Sequence, residues 1–371
     1  MSFIPVNEPL LNGNEKKYLL ECIDTGWISS EGPFVEKFEE QMSTRVNRKH
    51  GVAVSNGTVA LELAISSLNL ESGDEIIAPT FTIISCVAAI VRNGCVPVLV
   101  DCNPTTWNMD LSQIEEKITP KTRAIMIVHI YGLPVDMDPI LSLAKKHNLK
   151  VIEDAAEMHG QLYKGKPCGS FGDVSIFSFY PNKHITTGEG GMVMTDDDYI
   201  ANHCRSKRNL CFQPKRRFIH EELGFNYRMT NLQAAIGIAQ LEQLDQFVLL
   251  KRKLGGLYTQ LLSDLPNIQL PLPKTDYAEN IYWVFGIVLN NINAETVMEM
   301  LHQRGIGTRP FFWPMHKQPV FNKMGLFLDE EYPVSEKISN YGFYLPSGLS
   351  ITPTQIEIVA ENLKAILMEG K

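Results

Sequence analysis

Between residues 51 and 195 the sequence alternates short apolar runs with longer segments of helical character. The runs 96–100 and 125–128 are apolar at every position, as strands buried on both faces of a sheet require. Strands that alternate with helices form a parallel sheet with helices on both faces. The pattern predicts an α/β fold whose ligand crevice lies at the carboxyl ends of the strands. Strands are predicted over 52–54, 75–78, 96–101, 124–129, 150–154, 174–180 and 191–195, and helices over 58–68, 83–92, 139–147 and 199–207.

One lysine stands at this predicted crevice. Lys183 lies between the apolar run 174–180 and the glycine-rich loop 188–191, and a further apolar run follows at once. Burial against apolar strands disfavours the charged form of a lysine and lowers its pKa, and a neutral amine is what Schiff-base chemistry requires. A single loop lysine is more often only solvated, so its neighbours decide between the two interpretations.

Polar groups near the same edge favour a pyridoxal phosphate site. Asp154 ends an apolar strand, where a carboxylate could hold the protonated ring nitrogen of that cofactor. Ser178 precedes Lys183 by one short segment, and the polar turn 55–58 stands between the first strand and its helix. Backbone N–H groups and the helix dipole make such a turn a ready phosphate site. Together these groups favour the catalytic interpretation of the lysine.

The glycine-rich loop could also belong to a dinucleotide-binding domain. Its glycines, however, lead into a strand and not a helix, and no G-x-G-x-x-G follows the first strand. We therefore set a dinucleotide cofactor aside.

The length and composition predict two domains. A chain of 371 residues with 44% hydrophobic content can bury a large core. We predict a large domain over 1–247 with an N-terminal arm, and a smaller C-terminal domain over 248–371. A helical run over 230–247 precedes this boundary, and a strand over 281–289 and a helix over 294–304 follow it.

Charge and cysteine usage exclude several classes of partner. The net charge of −8 and the pI near 5.7 argue against a nucleic-acid binder. The seven cysteines are scattered without metal-binding spacing, which is typical of reduced thiols in a cytoplasmic protein and predicts no metal site. Because the sequence shows no signal peptide and no apolar run long enough to span a bilayer, we also predict no membrane partner.

Lys183, Asp154 and Ser178, with the run NKHITTGEGGM over 182–192, resemble the DegT/DnrJ/EryC family of pyridoxal-phosphate-dependent nucleotide-sugar aminotransferases. The resemblance covers essentially the whole chain. It implies the aspartate-aminotransferase fold (PLP fold type I), with a mostly parallel seven-stranded sheet flanked by helices and a smaller C-terminal α/β domain. Lys183 would then be the catalytic residue that bonds the cofactor, Asp154 would hold its ring nitrogen, and Glu157 would contact its ring or O3 group. The cofactor phosphate would be bound by Ser55, Asn56, Gly57, Thr58 and Ser178.

Within the family, the same run most resembles members that aminate C4 of GDP-4-keto-6-deoxymannose for surface polysaccharides such as O-antigen. By this resemblance glutamate is the amino donor, and the cofactor passes through pyridoxamine phosphate. Two alternatives stay open. The substrate could be a dTDP- or UDP-linked 4-keto-6-deoxyglucose. Alternatively, the enzyme could be a sugar 3-dehydratase, because the pair Tyr180-Pro181 and His184 resemble the 3-dehydratase relatives of this family.

The resemblance also implies contacts from outside the lysine loop. Asn226 would reach the cofactor phosphate of a second subunit, which predicts a homodimer with shared active sites. Trp27 and Ser29, in a turn-rich loop, and Arg309 and His316, in an aromatic loop, would contact the substrate. From the residues alone, Trp27 is explained equally well by a structural turn with a packed indole. The rings of the aromatic loop are then explained by packing in a structural core.

One position departs from the family pattern. Most members place an aromatic residue after Pro-x-x-Thr, where it covers the cofactor ring, whereas this chain has Ile83 there. The cofactor ring would therefore pack on Ile83 or on Phe81.

Overall fold

Nine strands lie in the first two thirds of the computed structural model, which describes residues 3–213 and 215–369. Seven of them form one sheet in the order β1–β9–β8–β5–β4–β2–β3, and β6 and β7 form a separate small sheet. The strands are β1 His50–Val54, β2 Glu75–Pro79, β3 Val96–Val100, β4 Thr122–Val128, β5 Lys150–Asp154, β6 Leu162–Tyr163, β7 Lys166–Pro167, β8 Val174–Ser178 and β9 Gly191–Thr195.

The seven-stranded sheet is mostly parallel, as predicted. Only β9 runs antiparallel to its neighbours β1 and β8, while β2, β3, β4, β5 and β8 pair in parallel. In β4, Ile125 and Ile127 join one buried apolar cluster, and Met126 and Val128 join another. This two-sided burial is the reason for the continuous apolar runs. The carboxyl ends of the parallel strands therefore meet at one edge.

The helices of this part of the chain agree with the predicted alternation, with two differences. Helix α2 was not predicted, although Pro33 stands at its first turn, a position that proline favours. The helical run predicted over 230–247 is divided between two helices. The apolar period continues across the break at 242–243, so periodicity alone does not detect the break. The helices are α1 Glu15–Thr25, α2 Pro33–Arg45, α3 Gly57–Ser66, α4 Ile84–Arg92, α5 Met137–His147, α6 Asp198–Arg208, α7 Asn231–Leu241 and α8 Leu244–Leu262.

A smaller antiparallel sheet follows, in the order β10–β11–β13–β12. The strand predicted over 281–289 begins only at Phe285, because Tyr282 adopts a left-handed backbone conformation with φ of 49°. Helix α8 runs through the predicted boundary at 247/248, and that boundary stays a prediction. The elements are β10 Ile268–Gln269, β11 Phe285–Leu289, α9 Ala294–Gln303, β12 Arg309–Pro310, α10 Pro319–Lys323, α11 Pro333–Tyr341, β13 Gly342–Leu345 and α12 Pro353–Glu369.

None of the helices within residues 3–213 and 215–369 is both long and apolar enough to cross a membrane.

Candidate active site

A cavity of about 980 Å³ opens at the carboxyl edge of the large sheet. Its wall combines residues that follow β1, β2, β5 and β8 with aromatic side chains from the smaller sheet and its approaches. The predicted site residues that line it are Asn56, Gly57, Thr58, Asp154, Glu157, Ser178, Lys183 and Arg309.

Lys183 projects from the loop after β8 and has a side chain that is 10% exposed. Its Nζ atom lies 3.9 Å from Oε1 of Glu157 and 3.8 Å from the centre of the Trp283 ring. Burial lowers the pKa of the amine, while the carboxyl groups of Glu157 and Asp154 oppose that shift. An amine with a lowered pKa is available as a nucleophile and as a base near neutral pH.

Asp154 lies at the end of β5 and is buried. Its Oδ1 accepts a hydrogen bond from the Ala156 N–H at 3.0 Å, and its Oδ2 accepts one from the Cys86 thiol at 3.2 Å. Burial raises the pKa of this carboxyl, and the two hydrogen bonds and Lys183 favour the ionised form. The carboxylate is thus fixed in orientation at the cavity wall.

Glu157 reaches the same wall from a segment that is not helical. Residues 155–161 instead form two turns, closed by 2.9 Å hydrogen bonds from Met158 N to Ala155 O and from Gln161 N to Met158 O. The Tyr131 N–H donates to Oε2 of Glu157 at 2.6 Å. Burial raises the pKa of Glu157 to about 8.

The start of helix α3 forms a cradle opposite the end of β8. Asn56 caps the helix by accepting a hydrogen bond from the Val59 N–H at 3.0 Å, which leaves the N–H groups of the first turn directed outward. A Cβ on Gly57 would lie 2.8 Å from Cβ of Ser178, so only glycine allows the serine this close. Free N–H groups, a hydroxyl and a positive helix end are the donors that a phosphate monoester requires. With the amine and the carboxylate, they fit pyridoxal phosphate.

Ile83 and Phe81 differ in their relation to the cavity. Ile83 lies in the wall, whereas Phe81 is fully buried and packs against Tyr131, Phe311 and Phe312. Of the two candidates for covering a cofactor ring, the structure therefore brings only the aliphatic one to the cavity.

Five predicted site residues do not line the cavity of the single chain. Ser55 lies just before the cradle and donates its N–H to Tyr227 O. Trp27, Ser29 and Asn226 are exposed on the surface. His316 is buried, and its ring nitrogens are engaged with Oγ1 of Thr80 at 2.7 Å and with Oε1 of Glu336 at 2.9 Å. With both nitrogens occupied, this histidine has no free atom to offer a ligand.

Sequence reasoning missed part of the wall. Trp283 was counted only as part of a predicted strand, although its ring contacts the lysine. Tyr344 and Phe312 also line the cavity, as do Glu62, Arg92 and Tyr227 at its rim. For Trp283 the available signal was an indole just before a strand, but strand periodicity does not distinguish a site residue from a core residue.

One buried group of side chains has the composition of a metal site. The ligand atoms of His129, Glu153 and Cys168 lie within 4.8 Å of one another. Nδ1 of His129 accepts from the Val135 N–H, so Nε2 carries the proton and bonds to Glu153 at 3.0 Å. Backbone N–H groups donate to both oxygens of that carboxylate. These hydrogen bonds account for the histidine and the carboxylate of the cluster.

Taken together, a buried lysine, a carboxylate at a strand end and a phosphate cradle on a mostly parallel sheet define a pyridoxal-phosphate enzyme of the aminotransferase class. The model of the DegT/DnrJ/EryC1/StrS aminotransferase family matches residues 9–364. The chain belongs to this family.

Curated relatives and solved structures agree with this assignment. The chain is 43% identical to the GDP-perosamine synthase of Escherichia coli O157:H7 over 98% of each chain. It is 42% identical to the GDP-perosamine synthase of Caulobacter vibrioides, again over 98% of each. The crystal structure of S. venezuelae DesV in complex with a ketimine intermediate superposes with a TM-score of 0.88 at 31% identity, over 95% of this chain and 94% of that one.

Proposed function

We propose that this enzyme transfers the amino group of glutamate to the C4 ketone of GDP-4-keto-6-deoxymannose, with GDP-perosamine and 2-oxoglutarate as products. The observation that carries the choice of substrate is the 43% identity to a GDP-perosamine synthase over nearly the full length of both chains. The cavity supports it, because about 980 Å³ is ample for a cofactor and a sugar.

The residues that hold the cofactor follow from the cavity wall. We assign its phosphate to the N–H groups of Gly57 and Thr58 and the hydroxyl of Ser178, in the turn that begins with Ser55 and Asn56. Pyridoxal phosphate, when bound, supplies a carbonyl that bonds amines and a pyridinium ring that accepts electrons from a neighbouring carbanion. Asp154 would hold the proton on that ring nitrogen, because its carboxylate is buried and fixed by two donors.

Lys183 is the group that we assign to bonding the cofactor and to proton transfer. Its amine has a lowered pKa because of burial, which makes it both a nucleophile and a base. Placed at one face of the cavity, it would deliver a proton to C4 of the sugar from that face only. The configuration of the new amine would then follow from the position of the lysine.

Glu157 lies where it can exchange a hydrogen bond with the amine or with a cofactor oxygen. Because burial raises its pKa to about 8, the carboxyl is mostly protonated at neutral pH and can donate. We assign it the contact to the cofactor ring or O3 group.

The substrate contacts are divided between the cavity and the surface. Arg309 lies in the wall and suits a diphosphate, because its guanidinium is a planar donor of paired hydrogen bonds. His316 lies behind this wall, and its predicted contact with the substrate would require its bond to Thr80 or Glu336 to open.

We further propose a homodimer in which Asn226, Trp27 and Ser29 act on the cavity of the partner. All three are exposed in the single chain. Near them the chain exposes large apolar side chains, of which Phe218 is 80% and Leu223 is 88% exposed. Exposed apolar patches of this kind mark protein interfaces.

A cytosolic location is part of the same proposal. All seven cysteines are free and buried, which fits a reducing compartment. Nucleotide-activated perosamine made there would serve the synthesis of O-antigen of lipopolysaccharide.

The 3-dehydratase alternative receives little support from His184. Its Nε2 lies 3.1 Å from Ile281 O, and burial lowers its pKa to about 3. A histidine that stays neutral and engaged is a poor acid for loss of a hydroxyl group. It also lies outside the wall of the large cavity.

The test is to incubate the purified protein with pyridoxal phosphate, glutamate and one of three sugars, and to read the products by mass. The sugars are GDP-4-keto-6-deoxymannose and the dTDP- and UDP-4-keto-6-deoxyglucoses. Replacement of the ketone oxygen by an amine with the GDP sugar is the expected result. The same change only with the dTDP or UDP sugar would move the enzyme to another substrate, and loss of the C3 hydroxyl would mean dehydration.

A further inference from the structure

Trp283 touches the amine of Lys183, yet no step assigned above uses it. The Nζ atom lies 3.8 Å from the centre of the indole ring, and the tryptophan is buried. The negative face of an indole stabilises a cation, and does so more strongly where water is excluded. An amine in this position is held better as an ammonium ion than burial alone would allow.

Hydrogen bonds to the backbone and to the ring of Trp283 hold the indole in place. The carbonyl of Trp283 accepts a hydrogen bond from Nζ of the buried Lys251 at 2.9 Å, and its Nε1 donates to Asn182 O at 2.7 Å. Tyr282, just before it, has a φ of 49°, and its N–H donates to Oδ1 of Asn280 at 2.6 Å. A bulky residue in this left-handed region is uncommon and persists only where its surroundings hold it. The ring is therefore held rigidly against the lysine loop.

The carboxyl group beside the amine also favours the ammonium ion, but only to the extent that it is ionised. Oε1 of Glu157 lies 3.9 Å from Nζ of Lys183. Because burial raises the pKa of Glu157 to about 8, this group carries only a fraction of a negative charge at neutral pH. Other titratable groups that act electrostatically on the lysine are Asp154, Cys86, His159 and His184.

We propose that the indole face of Trp283 is the place at which Lys183 carries its proton during transamination. The inference rests on the proposed function, in which this lysine is the base. In each half of the reaction the neutral amine takes a proton from one carbon, holds it as an ammonium ion, and gives it to another carbon. The amine is unchanged at the end, and the ring stabilises the form that exists between the two transfers.

The experiment measures how fast the apo protein combines with pyridoxal phosphate as a function of pH. Only a neutral amine attacks the carbonyl, so the rate at which the absorbance of the bound cofactor appears rises as Lys183 loses its proton. Trp283→Leu removes the stabilisation of the ammonium ion, and the pH midpoint should fall by about one unit. Trp283→Phe keeps a weaker ring face and should shift it by less. Trp313→Leu is the matched control, because that indole is 48% exposed and outside the cavity wall.

Each outcome decides the matter. An unshifted midpoint in Trp283→Leu, in a protein that still bonds the cofactor, overturns the inference and leaves the proposed function intact. If borohydride reduction of the wild-type holoenzyme leaves no cofactor attached to Lys183, the proposed function fails instead. Should Trp283→Leu not fold, Trp283→Phe decides, because it keeps a ring in the core, and a midpoint equal to that of the wild type contradicts the inference.

Discussion

At the scale of single residues, burial pushes the groups of this site towards their neutral forms. It lowers the pKa of Lys183 and raises the pKa values of Asp154 and Glu157. For the lysine this is an advantage, since a neutral amine is the reactive form. Asp154 has the opposite requirement, because a protonated pyridine ring needs a carboxylate beside it. Donors to its oxygens are therefore as important as the residue itself.

Cys86→Ala should lower activity through Asp154. The thiol donates to Oδ2 at 3.2 Å and favours the ionised carboxylate. Loss of a hydrogen bond to a charged group corresponds to about a tenfold fall in kcat, whereas Cys86→Ser keeps a donor and should keep most of the activity. Cys204→Ala, at a buried thiol that bonds Leu63 O, is the control. Equal kcat values for the alanine and serine variants at Cys86 would contradict this role.

Glu157→Gln should change how stability depends on pH. Burial raises its pKa from the ordinary value of 4.5 to about 8, so between these two values the folded state binds a proton that the unfolded state has released. Stability from this group is thus complete below pH 4.5 and is lost as the pH rises through about 8. Denaturant unfolding of the apo protein should show a decline over this range that is smaller in Glu157→Gln. Parallel pH profiles for the two proteins would refute the shift.

At the scale of elements, the site is a meeting of strand ends and one helix start. Helix α3 follows β1. Asp154 is the last residue of β5, and Lys183 lies in the loop after β8, the neighbour of β5 in the sheet. The close approach of α3 to the end of β8 is possible because Gly57 has no side chain. The phosphate cradle is therefore a property of packing between elements.

Gly57→Ala should weaken the binding of pyridoxal phosphate. The new Cβ would lie 2.8 Å from Cβ of Ser178, so the helix start or the serine must move away from its place in the cradle. Overpacking of this kind corresponds to at least about a tenfold rise in Kd, measured by cofactor absorbance after dialysis. Gly256→Ala, in the exposed part of α8 with nothing within 4 Å of a new Cβ, is the control. It should leave the Kd unchanged and stabilise the fold by about 0.5 kcal/mol.

At the scale of the whole molecule, the two sheets cooperate over one cavity. The large sheet contributes Asp154, Ser178 and Lys183 to the cavity wall, while Trp283, Arg309 and Tyr344 come from the smaller sheet and its approach. Asn226 is exposed in the single chain and could contact the cavity of a second subunit. If that residue serves the partner, an active site is complete only in the assembly.

Complementation between an inactive variant and one that retains the cofactor poorly tests this arrangement. Lys183→Ala should abolish turnover, and Asn226→Ala should weaken cofactor retention, each as a homodimer. In a mixed dimer, one site receives Lys183 from one subunit and Asn226 from the other, while the second site lacks both. Random pairing should restore about a quarter of the wild-type activity at limiting cofactor. Absence of any recovery, in a mixture shown to contain the mixed dimer, would place Asn226 in its own subunit's site or outside the site.

Much of this molecule was predictable because the signals are local. Two-sided burial gave the strands their continuous apolar runs, and all seven strands of the large sheet lie where the pattern placed them, to within two residues at each end. The cap of α12 is equally local, since the side chains of Thr352 and Gln355, which are close in the sequence, bond each other's N–H groups. The position of Lys183 was predictable for the same reason: as a charged residue between an apolar run and a glycine-rich loop it was expected at the crevice, and it lines the cavity.

Tertiary structure alone decided which distant groups reach the lysine. Trp283 is a hundred residues away along the chain, and it lies over the amine only because a left-handed turn at Tyr282 and two hydrogen bonds direct its ring there. His316 was predicted to contact the substrate, and only the fold shows that Thr80 and Glu336 occupy its two nitrogens. Sequence patterns report what each residue prefers over a few neighbours, whereas contacts, burial and pKa shifts depend on which segments the fold packs together.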